Sequence, residues 1–89
     1  MSIKINKKFL EEIYKLEKKY YIEHFNKEEY IKNFLEILEN LLNKEIRNRV
    51  DLKSIKGRNR DEIEREILKT LSVEELKVIV YYENIEETE

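Results

Sequence analysis

Apolar residues recur three and four positions apart along nearly the whole chain, and no proline and only one glycine, Gly57, interrupt them. An α-helix of 3.6 residues per turn gathers that spacing onto one face, whereas a half-buried strand needs strict alternation. The pattern predicts an all-α fold. Eighty-nine residues suit one domain, in which about 60–65% of the surface of the unfolded chain becomes buried. Charged residues make up 43% of the chain against a usual quarter, which predicts helices whose outer faces carry ion pairs.

The first helix is expected over about residues 5–24, with Ile5, Phe9, Ile13, Leu16 and Tyr20 as its buried stripe and Glu11 and Lys15 in the favourable order for a surface pair. Asn26 followed by Glu29 is a capping-box-like start for a second helix over about 27–49, whose inner face holds Ile31, Phe34, Leu35, Leu38, Leu41, Leu42 and Ile46. The short connection folds the two back as an antiparallel hairpin. Residues 50–60 lose the helical period and read as a basic loop. A third helix over about 60–70 begins near Asn59 or Asp61 and turns Ile63, Ile67 and Leu68 inward. Ser72 and Glu75 form an S-x-x-E capping box for a fourth helix over about 73–84. Within that span the run VIVYY, residues 78–82, is β-branched and aromatic, so residues 77–83 can instead form a strand. Helix is the expectation here, because a single strand without a partner leaves its backbone hydrogen bonds unmade. The architecture expected is a small four-helix bundle with an acidic tail, residues 84–89, in solvent.

The residue inventory argues against catalysis. Cysteine is absent, which removes disulfides and thiolate metal sites. Serine is scarce and the single His24 has no evident partner, against a Ser/His/Asp arrangement. One glycine cannot build a phosphate-cradling loop. His24 reads as a residue closing the first helix near the hairpin turn, and Glu62 with Glu66 reads as part of a solvated helix face. No cofactor, metal or small-molecule substrate is expected, and the chain reads as a non-enzyme. The short turn between the third and fourth helices has helix-turn-helix spacing, but Glu74, Lys77 and Glu83 suit a DNA groove poorly.

The feature that remains is charge segregation. Residues 47–60 hold Arg47, Arg49, Lys53, Lys56, Arg58 and Arg60 against one acid, Asp51, giving +5 in a chain whose net charge is −2. Four of the five arginines lie here, and guanidinium groups present fixed donor pairs suited to phosphate or carboxylate. The segment is therefore the candidate contact for a nucleic-acid backbone or an acidic protein surface. No aromatic residues interleave with it, so phosphate contact is expected rather than base stacking. The acidic tail can fold over it as a screen. A second reading is a structural or regulatory interaction subunit, such as a homodimer, with Tyr14, Tyr21, Tyr81 and Tyr82 as interface residues. Of the six tyrosines only Tyr20 falls on a core stripe.

No run approaches the ~20 apolar residues of a membrane span and the N-terminus is charged too early for a signal peptide, so a cytoplasmic setting is expected. Eighteen glutamates and thirteen lysines without glutamine predict a heat-adapted protein. A thermal unfolding midpoint near about 50 °C, within the ordinary mesophile range, would contradict that.

Overall fold

A computed structural model describes residues 2–22 and 24–83, with side chains over 4–20 and 24–80. Its elements are β1 (Ser2–Ile5), α1 (Lys7–Ile22), α2 (Lys27–Leu42), two 3₁₀ turns (Arg47–Arg49 and Leu52–Ser54), α3 (Arg60–Leu68), α4 (Val73–Ile79) and β2 (Val80–Glu83). The fold is a small helical bundle. α1 and α2 form the antiparallel hairpin that the periodicity predicts: Phe9 packs edge-on against Phe34 at 6.1 Å, while at the turn end Tyr20 meets Tyr30 at 5.7 Å. Among the described residues the core is Phe9, Ile13 and Leu16 from α1, Tyr30, Ile31, Phe34, Leu35 and Leu38 from α2, and Ile63, Ile67 and Ile79 from α3 and α4. Ile46, Ile55 and Leu71 complete it from the connectors. No helix among the described residues is long and apolar enough to cross a membrane.

Each of the four helices is shorter than its apolar period suggests, for local reasons. The first begins at Lys7, not residue 5, because Asn6 caps it. The Asn6 side-chain oxygen accepts from the Lys8 and Phe9 amides at 2.9 and 3.2 Å. The same residue donates from its side chain to the Val78 carbonyl and from its backbone to the Ile79 carbonyl, at 2.9 and 2.7 Å. Ile5 thus belongs to β1 and is exposed, outside the stripe expected for it. The second helix ends at Leu42, not residue 49, because Asn43 adopts a left-handed conformation, φ 56°, and breaks the helix. Ile46 is still fully buried, but a turn delivers it rather than α2.

The third helix runs Arg60–Leu68 with Asn59 as its cap, the Glu62 amide donating to the Asn59 side chain at 3.0 Å. The fourth ends at Ile79, and the run that could be either helix or strand is split: residues 77–79 are helical and 80–83 are strand. β2 finds its partner in β1, antiparallel, with Ile5 opposite Val80 and Ser2 opposite Glu83. That pairing satisfies the hydrogen bonds whose absence argued for helix. The acidic tail, residues 84–89, and its expected exposure lie outside the described residues.

Two further expectations change. Tyr30 is fully buried, so it belongs with the core, while Tyr20 is only partly buried. Residues 50–60 are not irregular throughout, since a 3₁₀ turn capped by Asp51 occupies Leu52–Ser54.

Candidate binding surface

The basic segment lies against the helices and is held there by their carboxylates. Glu39, one turn before the end of α2, accepts from the Ile46 and Arg47 amides at 2.9 and 3.1 Å and from the Arg47 guanidinium at 2.6 Å. The Arg47 hydrogen bonds, ahead of the backbone contacts, hold the Glu39 carboxyl down to about 2. Glu75, buried at the start of α4, takes both terminal nitrogens of Arg49 at 2.7 and 3.0 Å and the Lys44 ammonium at 2.8 Å. It also accepts the Ser72 amide at 2.8 Å and so completes the capping box. The Arg49 fork, then Lys44, then the Ser72 amide keep its carboxyl well below the usual carboxylate range.

The stretch after Ile55 is shaped by α3. The Glu66 carboxylate accepts the Lys56 and Gly57 amides at 3.1 and 2.6 Å, and Glu62 accepts the Arg58 amide at 2.8 Å. Three consecutive backbone donors are thereby satisfied by two side chains one helical turn apart. Glu62 is exposed and Glu66 half-buried, so the face their spacing suggests does meet solvent while it also carries these contacts. They anchor a loop, and the Lys56 and Gly57 amides lower the Glu66 pKa. Gly57 is needed for this close approach: an added Cβ would lie 2.8 Å from the Glu62 Cβ and 2.8 Å from the Ile63 amide nitrogen. On the other side, the Lys27 ammonium donates to the Ile55 carbonyl at 2.6 Å.

The six basic residues singled out by sequence therefore divide. Arg47 and Arg49 are engaged by Glu39 and Glu75 and serve the fold. Among the described residues no carboxylate lies within ion-pair distance of Lys53, Lys56, Arg58 or Arg60, and the first three are exposed. Arg60 is partly buried at the start of α3. Two cations outside the segment join them: Arg65 and Lys69, four apart on and just beyond α3, line with Lys56, Glu62 and Glu66 a surface depression of about 260 Å³. Their i, i+4 spacing is visible in the sequence, but they lie outside the charge run of residues 47–60.

Of the tyrosines proposed as interface, Tyr14 is exposed, with the Lys18 ammonium 5.6 Å from its ring centre. The side chains of Tyr21, Tyr81 and Tyr82 lie outside those described. His24 is exposed in the hairpin turn, beyond the end of α1 at Ile22. Among the described residues no three acidic, His or Cys side chains are grouped to hold a metal ion. The most unusual buried polar contact is the Tyr30 hydroxyl donating to the Glu64 carboxylate between α2 and α3. Burial, more than any neighbouring charge, raises the pKa of both groups. A surface hollow of about 560 Å³ lies at the end of α2 and includes the engaged Glu39 and Arg47 in its wall.

No family model, curated protein or solved structure matches the chain.

Two outcomes follow from the carboxylate anchors. The depressed pKa of Glu39 means that its contribution to stability is present above the ordinary carboxyl value of 4.5 and is lost as pH falls through about 2. Urea midpoints should therefore drop across that window, and Glu39→Gln should flatten the drop; an unchanged slope would refute the clamp. Gly57→Ala should cost about 1–3 kcal/mol by crowding rigid neighbours. A urea midpoint equal to that of the parent would show that the loop yields freely.

Proposed function

We propose that this protein is a non-catalytic, cytosolic binding module that contacts an anionic partner through the free cations of its basic segment, Lys53, Lys56, Arg58 and Arg60, extended by Arg65 and Lys69. The observation that carries this reading is the division of labour within the segment. Its backbone is pinned by Glu39, Glu62 and Glu66, while four of its cations have no carboxylate at ion-pair distance among the described residues. A pinned backbone loses less entropy when these side chains meet an anion than a flexible loop would. The rest of the chain is acidic, so the contrast steers anions to this edge. Phosphate backbones and protein carboxylates are both suitable ligands for such cations.

The test is fluorescence anisotropy with random duplex DNA, duplex RNA and poly-glutamate at low and moderate salt. Binding should weaken with a log–log salt slope of roughly −0.9 per phosphate contacted, so about −3 to −4 if all four cations take part. Changing the exposed Lys53, Lys56 and Arg58 to Ala should sharply weaken binding without lowering the melting temperature. Arg47→Ala and Arg49→Ala should lower stability first, because those two arginines hold the fold. A parent protein that binds none of the three polyanions at low salt would refute the reading.

A second reading, a structural or regulatory subunit that associates through apolar contact, is favoured by a different observation. Ile5, Leu10, Tyr14, Val73 and Val78 are exposed, and Asn6 brings the start of α1 beside Val78. Exposed apolar area of this kind suits a protein interface when it is contiguous. Light scattering that gave a clean 11.0 kDa monomer at high concentration would exclude a homodimer.

A further inference from the structure

We infer that the anionic partner is a protein: an acidic amphipathic helix laid along α2 and across Leu52. This rests on the anion-directed reading above and narrows it. Two hollows meet at Leu52. One, of about 290 Å³, is walled by Leu35 of α2 and by Val50, with Lys32, Glu36 and Arg47 at its rim. The other, of about 350 Å³, is walled by Ile31 of α2 and by Ile55, with Lys27, Glu28 and Lys53 at its rim. Because both share Leu52, they form one trough between α2 and residues 50–55.

The α2 residues along this trough, 27, 28, 31, 32, 35 and 36, follow the spacing of a single helix face and span about 14 Å at 1.5 Å per residue. That is more than two turns of helix, the length over which a docked helix presents apolar anchors three, four or seven positions apart. A phosphate backbone has no apolar group for this floor, so the trough favours a peptide over a nucleic acid.

Charge decides which peptide. Four cations and two acids border the trough, and with Arg47 engaged by Glu39 the remaining three cations and two acids leave a net +1 in a chain of −2. Glu28 is paired with Lys32 at 3.4 Å, both well exposed. Lys27 is held by the neutral Ile55 carbonyl, so its position is fixed while its charge stays uncompensated by that contact. Lys53 has no carboxylate at ion-pair distance among the described residues. Carboxylates on the partner's flank would meet the Lys27 and Lys53 end, and its leucine-like side chains would fill the two hollows.

The test is a methyl and amide NMR titration of the full chain with a synthetic helical peptide carrying glutamates on one face and leucines three and four apart on the other. A scrambled peptide of the same composition, a lysine-for-glutamate version and a duplex RNA serve as controls. The expected result is saturable shifts of the Leu35, Val50 and Leu52 methyls with the acidic peptide alone. Leu52→Glu should weaken the peptide about tenfold or more while leaving duplex RNA binding unchanged. Lys32→Glu, on an exposed position that leaves the core untouched, should weaken the peptide similarly and guards against misfolding of the first variant. Equal binding of the scrambled peptide, or shifts confined to the Lys53, Lys56 and Arg58 amides, would overturn the helix-docking proposal and leave the basic-segment reading standing. No response to either peptide or duplex at low salt would overturn both.

Discussion

The structure depends on carboxylates from the helices reaching out to hold the connector between α2 and α3. Glu39, Glu62, Glu66 and Glu75 each accept at least one backbone N–H, and Glu39 and Glu75 take an arginine as well. A connector this polar has no regular ladder to satisfy its amides, and buried or half-buried amides without partners are costly. Supplying acceptors from side chains of neighbouring helices solves that problem and sets the path of the chain. Ile46 and Ile55 are carried into the core as a result.

This clamp also accounts for the distribution of charge. An excess of glutamate on the helices and of arginine and lysine in the connector appears as segregation along the sequence, yet in space much of it is complementarity. Arg49 on Glu75 links the turn after α2 to the start of α4, where removing Arg49 would leave a buried carboxylate with only the Lys44 ammonium and the Ser72 amide. The positive charge that remains available is therefore smaller than the sum over residues 47–60, and it is concentrated around Lys53, Lys56 and Arg58. Lys53 also lines the hollow walled by Ile31, Leu52 and Ile55.

How far the molecule was legible can be followed residue by residue. The capping signals were clear: Asn26, Asn59 and Ser72 each accept the amide three positions on, because a short polar side chain before an apolar period has few other uses. Asn6 carries the same signal and was overlooked, since Ile5 extends the apolar spacing one turn too far. The end of α2 was misread for a similar reason. Leu42 and Ile46 keep the helical interval although Asn43 has already left the helix, and a buried residue delivered by a turn has the same spacing as one delivered by a helix. The spacing of Glu62 and Glu66 predicts a solvated face but not their role as loop anchors, because backbone partners four to ten residues away leave no mark on a glutamate's own spacing.

What the sequence determined alone is the set of amphipathic faces, their caps and hence the helical hairpin with two shorter helices behind it, all of which depend on interactions within a few residues. Tertiary structure decided the rest. β2 exists because β1 lies beside it, 79 positions earlier at the Ile3 and Tyr82 pair, and a strand's hydrogen bonds belong to its neighbour rather than to itself. The same holds for which cations are free, since an ion pair is fixed by where two side chains meet in space and not by the charge each brings to the chain.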